Sequence, residues 1–299
     1  MLGRITNQQL LVNTQRSLQS SRSLLSQLQD RVSTGKAITK PSDDPAAMAS
    51  LLRIQSQQRA ATQYGTNIAD GTAWLSTVDT TLSSAEDILG KVRELTVRGS
   101  NSGALTPASR EAIATELEGL KGDLLSKANT TYLGRNIFAG SSDAGVAFDT
   151  SDPAAPYAFT GAAGATVQRR VDDTESVRVD ADGAAAFGTG ATSVFATIDS
   201  IVTDLRAGTD VGSRLTELDT HLGNLTTQHA FVGTRYARLQ QAASNNLTQT
   251  TALESQRAGV EDVDPAKAIL DLKSQETTYQ SALAVTARAL QPTLLSYLS

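Results

Sequence analysis

The chain has 299 residues and a formal net charge of −5, from 26 basic and 31 acidic side chains; 39% of its residues are apolar and 4% aromatic. That apolar share is enough for a folded core, and an acidic chain without a Lys- or Arg-rich block is not expected to bind nucleic acid. The absence of cysteine excludes disulfides, thiolate metal sites and cysteine nucleophiles.

No stretch of the sequence is apolar over the roughly 18 residues that a membrane-spanning helix needs, so no membrane span is expected. At the start of the chain, Asn7, Gln8 and Gln9 interrupt the apolar residues, and a cleaved signal peptide is not expected either. If the protein leaves the cell, we expect it to do so by another route.

The first predicted element is a long helix with coiled-coil spacing. Its apolar residues share one face. Four of them recur every seven residues, namely Leu11, Leu18, Leu25 and Val32, and the same face is filled by Leu24 and Leu28. Repeats of this kind predict helices that pack side by side. Gly35 then provides the left-handed residue that commonly follows the end of a helix.

A proline-bracketed segment, Pro41-Ser42-Asp43-Asp44-Pro45, follows this helix. Pro41 restricts Lys40 to an extended conformation. Asp44 has a side chain that suits an N-cap, and Pro45 suits the first position of a helix. We expect these five residues to form a rigid interdomain joint; an ordinary linker between two helices is the alternative.

Two further helices are predicted before the middle of the chain. The apolar stripe of the second helix runs from Ile68 to Val92, extends back through Met48, and fades at residues 99–103. The third helix opens at Thr106-Pro107, an N-cap followed by a proline in the first turn, where the missing amide costs nothing.

The composition changes between Ser141 and Gly190, where Gly, Asp, Ala and Thr dominate and short stretches alternate in hydrophobicity. Thr166–Val171 and Ser176–Val179 have the pattern of strands separated by turns. We therefore expect a small β-rich insert, from which a helix at residues 194–205 leads back.

Two helices are predicted towards the C-terminus. The longer one has mainly apolar residues at steps of three and four from Leu215 to Leu239, and the pattern continues to Val260, diluted by Ala243, Asn246 and Thr250. The last helix opens at Asp264-Pro265. The apolar positions of the last helix are Ile269, Leu272, Tyr279, Leu283, Leu290 and Leu294. Pro292 is expected to end or kink this helix near Gln291.

These elements predict a mainly α-helical fold, in which a long coiled-coil-like bundle is built from both chain ends and carries a small β-rich insert domain. The expected domains are a terminal coiled-coil assembly domain (1–40 with 262–299), a helical rod domain (41–140 with 192–261) and a small outer domain (141–191). A lone pair of terminal helices buries few apolar residues, so neighbouring subunits are expected to complete their packing. The apolar stripes of the first and last helices are the predicted assembly seam.

No arrangement of residues indicates an enzyme or a cofactor site. His221 and His229 lie on roughly one helical face, with Glu217 one turn from His221. Structural roles are favoured over a metal site, because His229 occupies a position of the apolar pattern of its helix, where a polar residue commonly sets the register of helix packing. Asp180-Ala181-Asp182-Gly183 lacks the remaining ligands of a calcium loop and is interpreted as a turn. We expect no metal, no cofactor and no catalytic residue.

Several short motifs resemble, in order along the chain, those of the flagellin superfamily. They are Ser33–Lys36 with Pro41–Ala46, Arg93–Val97, Asn136–Gly140, Phe231–Arg235, Asp262–Ala266, Tyr279–Leu283 and Gln291–Leu298. Together these motifs extend the resemblance over the whole chain except the β-rich insert and the helix that leads back from it. The opening Arg4–Thr6 and the ending Gln291–Leu298 are more similar to the hook–filament junction members of that superfamily than to its filament subunits. Pro265 and Ser296 depart from the family pattern.

The resemblance implies a structural protein that is layered by helical symmetry at the joint between flagellar hook and filament. The implied partners are copies of itself, flagellin, the hook-side junction protein and a flagellar export chaperone. The implied location is the extracellular flagellum, reached unfolded through the flagellar type III channel without a cleaved signal peptide.

Two alternatives stay open. A filament flagellin subunit would share the same motifs and would differ in its copy number in the flagellum. A cytoplasmic coiled-coil scaffold, a protein of a different class, would share the heptads but would not need the proline-bracketed joint.

Overall fold

The computed structural model describes residues 2–101, 105–162 and 164–289. In these residues the protein is mainly α-helical, which confirms the predicted fold class. The helices are α1 (Leu2–Thr34), α2 (Pro45–Ser100), α3 (Pro107–Ala128), α4 (Gly183–Phe187), α5 (Val194–Ala207), α6 (Arg214–Glu261) and α7 (Pro265–Ala289). The short helix α4 was not expected from the sequence pattern, and the predicted break near Gln291 lies outside the described residues.

Short strands of the described residues pair as three separate antiparallel hairpins. They are β1 (Thr131–Tyr132) with β2 (Arg135–Asn136), β3 (Phe148–Asp149) with β4 (Ala158–Phe159), and β5 (Gln168–Arg170) with β6 (Ser176–Arg178). The register pairs Thr131 with Asn136, Phe148 with Phe159, and Arg169 with Val177. The third hairpin confirms the strands expected within 166–171 and 176–179, whereas the first hairpin precedes the expected insert.

Helix ends follow the capping chemistry that the sequence indicates. Gly35 has a φ of 69°, and its amide donates to the carbonyl of Arg31 at 2.9 Å, which ends α1. Thr106 caps α3, because its hydroxyl accepts the amide of Ser109 at 3.2 Å. The predicted end of α1 and the predicted start of α3 are therefore confirmed.

The described residues form two compact units. The terminal unit takes its residues from 1–60 and 250–299, and the middle unit takes its residues from 61–249. α2 and α6 each contribute residues to both units. The expected division into three domains stays a prediction.

One hydrophobic core fills the middle unit and includes residues of the β-rich insert. Leu82 of α2, Leu117 of α3, Ile198 of α5 and Leu225 of α6 belong to it and are almost completely buried. The insert and the start of α5 add a cluster of aromatic rings whose centroids lie 5.2 to 6.0 Å apart: Phe138, Phe148, Tyr157, Phe159, Phe187 and Phe195. The insert therefore packs on the helices and shares their core.

Candidate assembly surface

The helices at the two chain ends, α1 and α7, pack against each other within the terminal unit. Leu28 of α1 and Ala268 of α7 are buried. Across the helix pair, the side-chain amide of Gln275 donates to the carbonyl and to the hydroxyl of Ser21, each at 3.2 Å. The two chain ends thus meet as the coiled-coil spacing leads one to expect.

The residues of the predicted assembly seam lie at different depths in this unit. Leu28 is buried, whereas Leu18, Leu25, Val32, Leu272 and Tyr279 are half-buried, and Ile269 and Leu283 are exposed. The side chain of Leu11, and Leu290 and Leu294 altogether, lie outside what the structure describes. The pairing of α1 with α7 therefore covers part of the apolar stripes and leaves the rest in solvent.

Large apolar side chains are exposed on the terminal unit. Those with 40% to 70% of their surface in solvent form the open apolar set, which consists of Val12, Leu24, Leu52, Ile269, Leu270, Leu283 and Val285. Covering an exposed side chain of this size contributes about 2 kcal/mol. The terminal unit consequently offers apolar surface that a neighbouring molecule would stabilise by covering it.

A groove of about 520 Å³ lies between α1 and α7. Short side chains line most of it, including Ser17 and Thr14 of α1 and Ser281 and Ala282 of α7. Because these side chains are short, they do not fill the space between the helices as closely as a protein core is filled. The groove therefore has room for a side chain from another molecule.

The proline-bracketed joint is ordered by its two aspartates. The Asp43 carboxylate accepts the amides of Thr39 and Lys40, at 3.1 and 3.0 Å, and these hydrogen bonds hold the pKa of Asp43 below its usual value of 3.8. The Asp44 carboxylate caps α2 by accepting the amides of Ala46 and Ala47, at 3.0 and 2.9 Å. Pro41, Ser42, Asp43, Asp44 and Pro45 are all exposed. The predicted cap and helix start are confirmed, while the interdomain role stays a prediction.

A short antiparallel backbone bridge joins the segment after α1 to the segment after α6. The amide of Ala37 donates to the carbonyl of Glu261 at 2.7 Å, and the amide of Val263 donates to the carbonyl of Gly35 at 3.0 Å. The bridge therefore fixes the base of α1 beside the base of α7.

The side chain of Glu261 reinforces this bridge. Glu261 is 5% exposed, its carboxylate lies 2.5 Å from the ammonium of Lys36, and it also pairs with the guanidinium of Arg257. Lys36, together with Arg257, holds the pKa of Glu261 below 4.5 despite the burial of the carboxyl group. The sequence pattern gave no sign of this pair, because Lys36 and Glu261 are distant in the chain and belong to no common repeat.

The two histidines have different environments. The Nε2 atom of His221 lies 3.1 Å from the hydroxyl of Thr197, whereas His229 lies between Asp79 and Glu86 of α2. Among the residues that the structure describes, no cluster of three metal-ligating side chains is suited to hold a metal ion.

The aspartates of the expected turn serve the local fold. Asp180 is fully buried, accepts the amide of Val167 at 2.7 Å, and pairs with the guanidinium of Arg178 through contacts of 3.0 and 2.7 Å. Asp182 caps α4 by accepting the amide of Ala185 at 3.0 Å. Each carboxylate is thus engaged by groups of this chain. Gly183 is the first residue of α4, so the segment is a helix start and the expected turn was wrong.

Comparison with family models finds two matches that together cover most of the chain. Residues 5–143 match the model described as the bacterial flagellin N-terminal helical region, and residues 215–298 match the bacterial flagellin C-terminal helical region. The first match contains nearly all of α1, the whole of α2 and α3, and the first hairpin. The second contains nearly all of α6 and the whole of α7.

Known proteins align with this chain over nearly its full length. It is 26% identical to flagellar hook-associated protein 3 of Escherichia coli, over 93% of this chain and 94% of that protein. It is 25% identical to flagellin of Bacillus subtilis, over 96% of each. Among solved structures, the flagellar junction protein of Legionella pneumophila has a similar fold, with a TM-score of 0.59 at 15% identity, over 70% of this chain and 100% of that chain.

Proposed function

Because the chain belongs to the bacterial flagellin family, we propose that it is a structural subunit of the flagellum that forms the junction between hook and filament. The observation that carries this proposal is the open apolar set of the terminal unit. Leu270 and Val285, for example, are 70% and 65% exposed on a helix that already packs against α1. Neighbouring subunits that cover such residues would supply the missing burial.

The near-complete alignment with hook-associated protein 3 of Escherichia coli supports the junction as the place of this subunit. The ending Gln291–Leu298 supports it as well, because it resembles the hook–filament junction members of the family more than the filament subunits. A junction protein would contact one neighbour on the hook side and a different one on the filament side.

The proposed mode of assembly uses α1 and α7 of each copy. The half-buried and exposed residues of the seam, such as Leu18 and Ile269, would pack against terminal helices of adjacent copies, and the groove between α1 and α7 would accept one of their side chains. A contact in which one face meets a different face of the next copy repeats by helical symmetry. The subunit therefore acts through packing and not through catalysis.

The proposed partners are copies of the chain itself, flagellin, the hook-side junction protein and a flagellar export chaperone. We place the assembled protein outside the cell, in the flagellum. No described helix combines the length and the hydrophobicity that crossing a bilayer requires.

Filament flagellin is the second candidate function. It is favoured by the alignment with Bacillus subtilis flagellin, which has almost the same identity and covers slightly more of this chain. Both candidates use the same terminal helices, so they differ in where the subunit is found and in how many copies a flagellum contains.

Gold labelling of intact flagella distinguishes these candidates. An epitope is inserted between Ala154 and Ala155, in the exposed loop between β3 and β4 and outside the described helices. We expect label in one short zone where hook and filament meet. Label along the whole filament would support a filament flagellin subunit. Flagella without label, with the tagged chain found only in the cell lysate, would support the cytoplasmic coiled-coil scaffold instead. A strain that carries the untagged chain controls for non-specific label.

A further inference from the structure

His229 of α6 bridges two carboxylates of α2 inside the middle unit. Its Nε2 atom lies 3.0 Å from a carboxylate oxygen of Asp79, and its Nδ1 atom lies 3.1 Å from a carboxylate oxygen of Glu86. The imidazole is 26% exposed, and the side chains of Asp79 and Glu86 are 54% and 25% exposed. Both ring nitrogens thus face groups that accept hydrogen bonds.

This geometry requires a particular protonation state. A neutral imidazole has one N–H and one lone pair, whereas an ionised carboxylate accepts hydrogen bonds and donates none. A neutral His229 would therefore direct a lone pair at one of the two carboxylates. The imidazolium donates to both, so the contacts to Asp79 and Glu86 are satisfied together when His229 carries a positive charge.

The surroundings of Glu86 are a second reason for a positive charge on His229. Its other carboxylate oxygen is buried and has no hydrogen-bond partner among the described residues. The imidazolium is therefore the cation that balances a partly buried negative charge at this position. When His229 loses its proton, the Glu86 carboxylate loses that compensation, which makes the contact between α2 and α6 less favourable.

We propose that His229 is a proton-dependent clasp between α2 and α6, which strengthens their packing when the imidazole is charged and weakens it when the imidazole is neutral. The charged groups that face the ring, Asp79 and Glu86, both come from α2. This assignment concerns the middle unit and is independent of the junction function.

The surroundings of the two histidines shift their pKa values in opposite directions. Partial burial lowers the pKa of His229, but the hydrogen bonds to Glu86 and Asp79 outweigh it and raise the pKa above 6.5. For His221, burial lowers the pKa below 6.5, and Glu217 opposes this shift. His221 is therefore a matched control in the same helix.

The titration of the histidine ring protons by NMR tests the clasp directly, because the chain has two histidines. The variants His229→Gln and His221→Gln each remove one signal and so assign both. We expect the His229 signal to titrate above pH 6.5 and the His221 signal below it. If His229→Gln does not fold, His221→Gln assigns the remaining signal to His229. A midpoint below pH 6.5 for His229 would overturn the proposal.

Two carboxylate variants separate the clasp from a purely structural contact. Glu86→Gln is expected to lower the titration midpoint of His229, because the balancing negative charge is lost. Glu94→Gln, at an exposed position of the same helix, is expected to leave the midpoint unchanged. An equal effect of both variants, or no effect of Glu86→Gln, would contradict the clasp.

Stability measurements give an independent readout. A group whose pKa is raised by folding contributes stability that is complete below its unfolded pKa and is lost as the pH rises through its folded pKa. The difference in unfolding free energy between the native chain and His229→Gln should therefore shrink as the pH rises from below 6.5 through the raised pKa of His229. The difference for His221→Gln should not shrink over this range, and parallel curves for the two variants would refute the assignment.

Discussion

The amide of Val263 donates a hydrogen bond to the carbonyl of Gly35, so the residue that ends α1 is joined to the segment that leads into α7. The reciprocal bond, from Ala37 to Glu261, closes the bridge on its other side. The common base of the two terminal helices is therefore fixed by backbone hydrogen bonds as well as by apolar contacts along the helices.

Glu261→Gln tests the contribution of the ion pairs to this bridge. The substitution keeps the shape of the side chain but removes the charge that holds Lys36 and Arg257, and we expect the terminal unit to lose about 2 kcal/mol of unfolding free energy. Hydrogen exchange at the amides of Ala37 and Val263 should then accelerate roughly 30-fold. Glu276→Gln, which removes a pair with the exposed Lys273, is the matched control and should change exchange little.

Acid should weaken the same region. The folded-state pKa values of Glu261 and Asp43 lie below 4.5 and 3.8, so their contribution to stability is present above those values and is lost as the pH falls through the lowered pKa values. Hydrogen exchange at the amides of Thr39 and Val263 would be followed from neutral pH to about pH 3. After correction for the intrinsic pH dependence of amide exchange, the protection of both amides should decrease as the pH falls. Undiminished protection at the acid end would show that these carboxylates do not stabilise the bridge.

Leu270→Asp tests the open apolar set. Leu270 is 70% exposed, so the substitution should change the unfolding free energy of the monomer by less than about 0.5 kcal/mol. If neighbouring copies cover this residue, each contact loses about 2 kcal/mol, and assembly weakens roughly 30-fold. Light scattering and electron microscopy would follow assembly. Leu247→Asp, at an equally exposed helical position of the middle unit, is the control, and equal assembly by both variants would exclude Leu270 from the interface.

Leu28→Ala separates packing inside one chain from packing between copies. Leu28 is 9% exposed, and its truncation should lower the stability of the terminal unit by about 3 kcal/mol. Leu24→Ala, one turn earlier and 45% exposed, should leave the monomer unchanged. Denaturant unfolding of both variants measures the difference. Similar losses of unfolding free energy in the two variants would contradict the difference in burial between Leu28 and Leu24.

Asp180→Asn tests the buried carboxylate at the edge of the insert. Neutralising Asp180 leaves the guanidinium of Arg178 without its charge partner, and we expect the middle unit to lose about 3 kcal/mol. Asp182→Ala removes the cap of the short helix α4 and should cost about 1 kcal/mol. Urea unfolding curves of the two variants should therefore be clearly separated, with Asp180→Asn the less stable.

The sequence predicted the helices well because their determinants are local. Heptad spacing and the chemistry of Gly35, Asp44 and Thr106 act within a few residues of each helix end, and the structure has those ends. The hairpins β1–β2 and β3–β4 were harder to predict, since each strand has two residues, too few to show a period of two.

The surroundings of the site residues could not be predicted from the sequence, because they are formed by contacts between segments that are distant in the chain. Periodicity placed His229 within the apolar pattern of α6, but it could not indicate that Asp79 and Glu86 of α2 would lie opposite. Likewise, the apolar stripe of α7 predicted an assembly seam, but it could not indicate which of its residues α1 covers. Leu272 is half-buried, whereas Ile269 and Leu283 are exposed, because one neighbouring helix covers a narrower strip than the stripe provides.

The backbone bridge also has a mechanical consequence. A force that pulls on α1 or on α7 reaches residues 35–38 and 261–263, where two hydrogen bonds and the Lys36–Glu261 pair hold the chain segments side by side. Tension on either helix is therefore shared by the backbone that leads into α2 and the backbone that follows from α6. A subunit that bears a turning load would gain from this arrangement, because no single covalent linker has to carry the load alone.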